Sequence, residues 1–349
     1  MNIYLYIIVF ILICLIICFL IIYYYNNYIL ILDQHNLPDV KWPFINLKDE
    51  NDKNINMLCI RGPLTSSEDI NFFESCLKQN IKFIGCSSYV TFPGICDNIY
   101  GNCHQESDMI YNGKHYYDKS YVKGWLHCFK EPEKYIKNDI PKLLLSESDF
   151  SDNLNLKYNN EEKIYDFIIY CPSDDDCDSG WNYHNKNWEL TKETIKELCN
   201  TFNQKGLLIG RDKCSIDIND KDNLENIGFL DFHKFIEKVK QSKYMVIPSY
   251  EDASPRTLTE SLILDVPVLV YKNILGGWKY INQKTGSFYD ENNMNTNISA
   301  FLKKLETFKP REYFFENHGV DKSGKQLKEF LQSINPELSN CNIVKFPIS

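Results

Sequence analysis

The most informative stretch of the 349-residue chain is IPSYEDASPRTLTESL, Ile247 to Leu262, followed closely by DVPVL at residues 265–269. An apolar strand pattern ends at Pro248, and a short loop carries Glu251 and Asp252. Ser254 and Pro255 are the residue types that favour the N-cap and the first position of a helix. The stretch therefore predicts a strand, a loop and a helix that begins at the carboxyl end of the strand.

The same alternation extends on both sides of this stretch. Strands are predicted at residues 165–170, 206–209, 244–248 and 267–271, and helices at 189–203, 231–239 and 255–264. Short apolar runs separated by amphipathic helices are typical of a parallel sheet that is covered on both faces. We therefore expect a Rossmann-like domain, and in such a sheet ligands bind at the carboxyl ends of the strands.

The predicted helix start suits a sugar nucleotide. Backbone amides at the positive end of the helix dipole can bind a diphosphate, and Arg256 adds a fork of donors. Glu260 lies one turn after Arg256, so its carboxylate can accept the hydroxyls of a ribose, while Asp252 in the loop can reach a sugar. The expected donor-binding residues on this element are Ser254, Arg256, Thr257, Leu258 and Glu260, with the amides of Arg256, Thr257 and Leu258 on the diphosphate. The alternative is that Arg256 and Glu260 form an ordinary surface ion pair and that Ser254 only caps the helix.

The first half of the chain also alternates, but less regularly. Strand, helix, strand and strand are predicted at residues 57–61, 66–78, 82–86 and 141–146, which indicates a second parallel unit. Residues 93–121 are expected to be loop, and the polar residues 149–162 a linker. The predicted domains are a stalk at 26–54, a first Rossmann-like domain at 55–150 that takes the acceptor, and a second at 163–349 that binds the nucleotide sugar.

An uncharged run from Ile3 to Tyr25 precedes these domains. About 20 apolar residues suffice to cross a bilayer as a helix, so residues 3–25 are predicted to be a single-pass transmembrane anchor. A cleaved signal peptide is the alternative, but the run is long, has no basic start and ends in three tyrosines. Because the first basic residue is Lys41, the positive-inside rule gives no orientation. The membrane is thus an expected partner.

Charge and cysteine content exclude two classes of protein. The formal net charge is −9 and no basic block occurs, so nucleic acid is not an expected partner. The 13 cysteines have irregular spacing and show no zinc pattern. No zinc site is therefore predicted from the cysteines, and no cofactor is expected.

The chain resembles the family-4-type retaining glycosyltransferases of GT-B fold over residues 164–305. That family has a Pro-Ser pair, two glutamates separated by seven residues, a Gly-x-Pro-Val turn and downstream glycine turns. Asp252 and Glu260 have the spacing of the two glutamates, with Asp252 where the family has Glu and Glu251 one residue earlier. The other matching positions are Pro248, Ser249, Pro255, Pro267, Val268, Gly276, Gly277, Thr285 and Gly286.

The resemblance implies two Rossmann-like domains and a transfer that retains the configuration of the sugar without a metal. It implies that Lys186, with Arg211 as a second basic residue, contacts the donor diphosphate. It also implies an assisting histidine from the first half, for which His127 is chosen. With Asp252 and Glu251, His127 forms the expected catalytic group.

The expected function is therefore transfer of a sugar from a nucleotide sugar to a glycan, lipid or protein acceptor. Two alternatives stay open. The acidic run Asp174–Asp178 follows a strand, as the metal-binding Asp-x-Asp of the other glycosyltransferase architecture does. A membrane-anchored protein that binds sugars or nucleotide sugars without turnover is the second alternative.

Overall fold

The computed structural model describes residues 13–20, 40–64, 66–87, 92–93, 110–111, 114–115, 119–154, 156–159, 161–174, 176–338 and 341–347. Residues 13–20 are helical (α1) and expose six large apolar side chains. Across the described ranges, no helix is both long enough and apolar enough to span a membrane. The rest of the predicted anchor, residues 3–12 and 21–25, lies outside these ranges.

The first sheet has six strands in the order β14-β1-β2-β3-β6-β7. The four strands β2, β3, β6 and β7 run parallel, whereas β1 is antiparallel to both of its neighbours. Helix α2 (Ser67–Lys78) connects β2 to β3 and begins with a capping box between Ser66 and Asp69. The strands are β1 (Phe44–Asp49), β2 (Asn54–Ile60), β3 (Lys82–Cys86), β6 (Val122–His127), β7 (Lys142–Leu144) and β14 (Val344–Lys345), and a separate hairpin joins β4 (Ile110–Tyr111) to β5 (Lys114–His115).

The second sheet has six parallel strands in the order β10-β9-β8-β11-β12-β13. Its strands are β8 (Tyr165–Tyr170), β9 (Gly206–Ile209), β10 (Leu224–Ile227), β11 (Ser242–Ile247), β12 (Val268–Tyr271) and β13 (Gly286–Tyr289). The accompanying helices are α3 (Trp181–Asn185), α4 (Trp188–Lys196), α5 (Phe232–Lys240), α6 (Arg256–Ile263), α7 (Met294–Lys304) and α8 (Pro310–Asn317). This order reverses direction at β8, so loops at β8 and β11 lie at the switch point where α/β sheets bind ligands.

Each sheet separates two apolar cores because successive strand side chains alternate between its faces. In β2, Leu58 and Ile60 face one core while Met57 and Cys59 face the other. In β8, Phe167 and Ile169 lie opposite Ile168 in the same way. Burial on both faces explains the continuous apolar runs at residues 57–60 and 167–169.

The end of the chain returns to the first domain. Helix α9 (Val320–Ile334) buries Leu327 and Leu331 in the core beneath the first sheet. β14 then pairs with β1, placing Val344 opposite Asp49. The domain boundary therefore differs from the sequence prediction, which assigned residues 163–349 to the second domain.

Two further boundaries differ from the prediction. The predicted stalk, 26–54, includes β1, whose antiparallel pairing with β2 makes it part of the first sheet. The start of the predicted linker is a 3₁₀ segment, Glu147–Leu154, with Ser148, Asp149 and Ser151 buried. Polar composition suggested an exposed linker, but these side chains are buried because they form hydrogen bonds between the domains.

Candidate active site

The carboxyl end of β11 leads into the predicted strand-loop-helix arrangement. β11 ends at Ile247, and α6 begins at Arg256 with Pro255 at the cap position. Ser254 was predicted to cap this helix, but Pro255 occupies the cap position and its side chain makes no capping hydrogen bond. The Ser254 hydroxyl instead accepts a hydrogen bond from Ser148 N at 3.1 Å and bonds Ser148 Oγ at 2.8 Å. Ser254 therefore connects the two domains.

Backbone hydrogen bonds fix the loop before α6 from two sides. Tyr250 N and Glu251 N donate to Asn185 O, at 2.9 and 3.3 Å. On the other side Gly276 N donates to Asp252 O at 2.9 Å. Because Asn185 immediately precedes Lys186, this anchoring brings Asp252 and Lys186 together.

Lys186 and Asp252 form an ion pair, and each side chain keeps less than a fifth of its surface exposed, 18% and 15%. The prediction assigned Lys186 to the donor diphosphate and Asp252 to the sugar. The structure places the two groups in contact, with Asp252 in the loop that precedes α6. In this pair the cation can bind a phosphate while the carboxylate binds a sugar hydroxyl.

Glu260 lies on α6 one turn after Arg256, and it is only 4% exposed. Burial raises the pKa of its carboxyl group to about 7, although the nearby charge of Arg256 acts in the opposite direction. The alternative of an ordinary surface ion pair between Arg256 and Glu260 therefore does not fit, because the Glu260 carboxyl group is buried. Buried carboxyl groups with a raised pKa are typical of functional sites.

Of the remaining residues on this element, Glu251 is half-buried, and burial raises the pKa of its carboxyl group. Leu258 does not fit the prediction that its amide binds phosphate. Its amide donates to Pro255 O at 3.1 Å, and its side chain is fully buried in the core. The predicted set of amides is thereby reduced to those of Arg256 and Thr257, which lie in the first turn of α6.

Arg211 differs from its prediction as a phosphate ligand. The side chain is 1% exposed, and its guanidinium lies 4.7 Å from the ring centre of Trp188. It donates to Asp176 O at 3.1 Å and to Pro172 O at 3.2 Å. These bonds commit Arg211 to holding the loop after β8, since its donors already bind backbone carbonyls.

The acidic run Asp174–Asp178 is tied into the same loop. The Asp174 carboxylate accepts from Asn182 N at 2.6 Å, Asp176 pairs with Lys213 at 2.8 Å, and Cys177 is disulfide-bonded to Cys214. Among the described residues, which omit Asp175, no group of three or more His, Cys, Asp or Glu side chains could hold a metal ion. These contacts give the carboxylates a role in shaping the loop.

His127 is the last residue of β6, at the carboxyl edge of the first sheet. It is 6% exposed, and its ring stacks at 6.2 Å on that of Phe129. Burial, reinforced by the charge of Lys279, lowers its pKa to about 4, so the imidazole is neutral near pH 7. Within the described part of the chain Nδ1 makes no hydrogen bond, which leaves one buried polar atom of this ring able to receive a partner.

Sequence reasoning missed the polar contacts that join the domains. Ser151 Oγ bonds Thr259 Oγ1 on α6 at 2.7 Å. Asp149, which is 1% exposed, binds Lys279 at 2.5 Å and His318 at 3.1 Å. Although burial alone would raise it, these two groups hold the pKa of Asp149 at about 2. No local pattern identified these partners because they lie more than 100 positions apart in the sequence.

Because Ser148 follows β7 and Ser254 follows β11, their bond joins the carboxyl edges of the two sheets. Two Rossmann-like domains that meet at these edges, with a terminal helix returning to the first domain, define the GT-B fold. No protein-family model matches the sequence, and the comparison with curated proteins found no match.

Solved structures of this fold are similar to the chain in three dimensions. A glycosyltransferase from Rickettsia africae has 16% identity and a TM-score of 0.51, over 80% of this chain and 77% of that one. TarM from S. aureus, in complex with fondaparinux, α-GlcNAc-glycerol and UDP, has 15% identity and a TM-score of 0.52, over 76% of this chain. This chain covers 54% of that TarM chain, so it spans about half its length.

A third structure is an α-glucosyltransferase in complex with UDP and a 13-mer DNA, with 9% identity and a TM-score of 0.50 over 81% of this chain and 80% of that one. Beside UDP, the TarM complex contains fondaparinux and α-GlcNAc-glycerol, whereas the α-glucosyltransferase complex contains DNA. At these low sequence identities, the similarity establishes the GT-B fold alone.

Proposed function

We propose that this chain is a glycosyltransferase that moves a sugar from a nucleotide-sugar donor to a glycan, lipid or protein acceptor. The observation that carries the proposal is the Lys186–Asp252 ion pair, which involves the loop before α6, together with the buried Glu260 on α6. Each group serves a different part of the donor. An ion pair that only stabilised the surface would have no reason to lie at the switch point of a parallel sheet, where ligands bind.

In the proposed complex the diphosphate binds Lys186, Arg256 and the amides of the first turn of α6, where the helix dipole is positive. Glu260 accepts hydrogen bonds from the ribose hydroxyls, since its carboxyl group lies one turn along α6 from Arg256. Asp252 and Glu251 face the sugar. UDP-sugars are the first donors to test, because the TarM and α-glucosyltransferase complexes contain UDP.

The proposed reaction retains the configuration of the sugar and proceeds without a metal. The bond between the anomeric carbon and the diphosphate oxygen breaks as the acceptor hydroxyl oxygen attacks on the same face. The acceptor proton passes to the leaving diphosphate, whose negative charge is stabilised by Lys186 and Arg256. His127, uncharged at neutral pH, supplies a hydrogen-bonding group from the first domain.

We also propose that residues 3–25 attach the enzyme to a membrane. The support is the uncharged apolar run itself, which is long enough to cross a bilayer as a helix. The acceptor would then be presented near a membrane surface. Fractionation of cells that express the chain, followed by carbonate extraction, would release it to the supernatant if this proposal is wrong.

The test of the catalytic proposal uses the full chain in mild detergent with a panel of nucleotide sugars. At least one donor is expected to raise the melting temperature and to be hydrolysed or transferred. Glu260→Ala is expected to abolish both effects. Glu237→Ala, which removes an exposed carboxylate of α5 in the same domain, serves as the matched control and should leave them unchanged.

Three other outcomes would contradict parts of the proposal. Donor binding without turnover for every acceptor and donor would favour a sugar-nucleotide-binding protein. Loss of activity in EDTA, restored by a divalent cation, would favour the metal-dependent Asp-x-Asp reaction. Inversion of the anomeric configuration, read by NMR of the product, would exclude retention.

A further inference from the structure

The turn after β12, residues 272–280, makes backbone contacts with the donor loop. Leu275 N donates to Tyr250 O at 2.8 Å, and Gly276 N donates to Asp252 O at 2.9 Å. These two bonds fix the backbone that carries the carboxylate of Asp252.

The same turn also binds the first domain, immediately after His127. The indole N–H of Trp278 donates to Cys128 O at 2.7 Å. Lys130 Nζ donates to Lys272 O at 2.9 Å and lies 6.0 Å from the centre of the Trp278 ring. The segment after β6 is therefore bound to the turn at two points.

The indole of Trp278 is supported by the second domain. Its ring packs against the apolar core that contains Leu258 and Leu262 of α6. Its acceptor, Cys128, is 3% exposed and belongs to the core of the first domain, against which Leu275 also packs. A buried carbonyl that loses its donor is costly to leave unpaired, so this bond defines where the segment after β6 lies.

We infer that Trp278 is a positioning residue that fixes the imidazole of His127 relative to the carboxylate of Asp252. The inference rests on the proposed transferase function, and it concerns two groups that come from different domains. One short turn binds the backbone next to His127 through Trp278 and the backbone of Asp252 through Gly276. Since a displacement of about 1 Å between reacting groups can cost on the order of 100-fold in rate, this shared support controls turnover.

The domains do not need Trp278 to remain joined. Ser148 and Ser254 already join them by hydrogen bonds, and the ion pair of Asp149 adds a further connection. Removing the indole N–H should therefore leave the domains together and displace mainly the segment after β6.

A double-mutant cycle tests the inference in the full chain, with a donor that the wild type turns over. Trp278→Phe removes the N–H but keeps an aromatic ring in the second-domain core. Turnover at saturating donor should fall about tenfold or more, while the affinity for UDP stays within about twofold. In a His127→Ala background the same substitution should cause no further loss, because the group through which it acts is absent. A purely structural contact would lower turnover in both backgrounds.

A second readout does not depend on turnover. Burial, reinforced by the charge of Lys279, lowers the pKa of His127 to about 4. Trp278→Phe should expose the imidazole, so that its pKa rises to about 5 or higher, towards the ordinary value of 6.5. NMR of histidine-labelled protein measures the pKa, and the His127 signal is identified by its loss in His127→Gln.

Lys130→Met tests the same support through an exposed side chain. It removes the bond to Lys272 O and keeps an unbranched apolar chain beside the Trp278 ring. Turnover and the pKa of His127 should change in the same directions as in Trp278→Phe, so the inference can be tested even if that variant does not fold.

Trp181→Phe is the matched control. Trp181 is a tryptophan of the same domain, at the start of α3, and it is 48% exposed. This substitution should leave both turnover and the pKa of His127 unchanged.

The failures of the two proposals are distinguishable. If the wild-type chain neither binds nor hydrolyses any nucleotide sugar, the transferase proposal fails, and the NMR titration still tests Trp278. If a donor is turned over but Trp278→Phe and Lys130→Met leave the pKa of His127 as in wild type, the transferase stands and the positioning inference is overturned. An equal loss of turnover with and without His127 would also overturn it.

Discussion

Glu260 has a carboxyl group in surroundings that disfavour its charged form. Burial raises its pKa from 4.5 to about 7. Between these values the folded chain keeps a proton that the unfolded chain has released. The free energy of unfolding therefore falls as pH rises through this window and is independent of this group above and below it.

Glu260→Gln is therefore expected to remove this pH dependence of the unfolding free energy. Relative to the variant, the wild-type chain should lose on the order of 3 kcal/mol of stability between about pH 4.5 and pH 7. Denaturant unfolding of both proteins at several pH values measures the difference. Glu237→Gln on α5 should leave the wild-type slope intact, and an equal slope in the Glu260 variant would show that burial does not perturb this carboxyl group.

Asp252 and Lys186 partly neutralise each other, so substituting one changes what the other can bind. Asp252→Asn leaves Lys186 free to attract the diphosphate, and UDP should bind as tightly as to wild type or several-fold more tightly. Turnover should nevertheless fall at least about 100-fold if the carboxylate faces the reacting sugar.

Titration calorimetry with UDP and single-turnover assays with the donor separate these two effects. Lys186→Met is the complementary variant and should weaken UDP binding. If Asp252→Asn lost UDP binding while Lys186→Met kept it, the assigned roles of the two side chains would be wrong.

At the scale of elements, the turn after β12 supports the donor loop by close backbone contact. A Cβ at Gly276 would lie 1.9 Å from Ala253 O, which is far inside van der Waals contact. Gly276 N also donates to Asp252 O. The Gly276-Gly277 pair that resembled a family motif is thus explained by packing against the loop before α6.

Gly276→Ala should therefore displace residues 252–254. We expect a loss of about 1–3 kcal/mol in unfolding free energy and at least tenfold weaker donor binding, since the overlap is with backbone that cannot rotate away. Gly228→Ala is the control, because a Cβ there would be 3.4 Å from its nearest neighbour. Equal melting temperatures and equal UDP affinities for the two variants would contradict this account.

The elements that could be predicted from sequence are those with a complete local signal. Strands at residues 82–86, 165–170 and 206–209 have the predicted bounds, because each is an apolar run in a parallel sheet. The helix at α6 was predicted within one residue at each end. Asp252 could be proposed because it follows a predicted strand, and Glu260 because it lies one turn into the predicted helix. Lys186 was implied by the resemblance to the glycosyltransferase family.

The elements that were missed depend on distant partners. β1 mixes polar and apolar residues, and its strand character follows from pairing with β2 and β14. Arg211 resembled a surface residue after a strand, yet it is buried because the Cys177–Cys214 loop folds over it. No local sequence pattern predicts either the pairing of β1 or the burial of Arg211.

At the scale of the whole molecule, two of the described segments carry the chain between its domains. The first crossing is the 147–154 segment, and the second is the step from α8 to α9, where Gly319 N donates to Asp149 O at 2.9 Å. Both crossings meet at Asp149, which also binds Lys279 of the second domain. Through its hydrogen bonds and its ion pair, the buried Asp149 thereby holds both connecting segments against the second domain, which contains the donor loop.

This connectivity predicts which domain depends on the end of the chain. Leu327 on α9 and Leu198 after α4 are both fully buried leucines, but they lie in the cores of the first and second domains respectively. Replacing either by alanine should destabilise the protein by about 2–5 kcal/mol. The effects should differ in location: hydrogen exchange should accelerate first in β2, β3 and β6 for Leu327→Ala, and in β8, β9 and β11 for Leu198→Ala.

UDP binding provides an independent control, because a nucleotide held by the second domain should slow exchange there and leave the first-domain strands of the Leu327 variant unprotected. If Leu327→Ala instead loosened β8 and β11 before β2 and β3, α9 would stabilise the second domain, as the sequence alone suggested. The buried contacts of α9 and the pairing of β14 with β1 favour the first domain, since a terminal helix and strand stabilise the sheet against which they bury apolar surface.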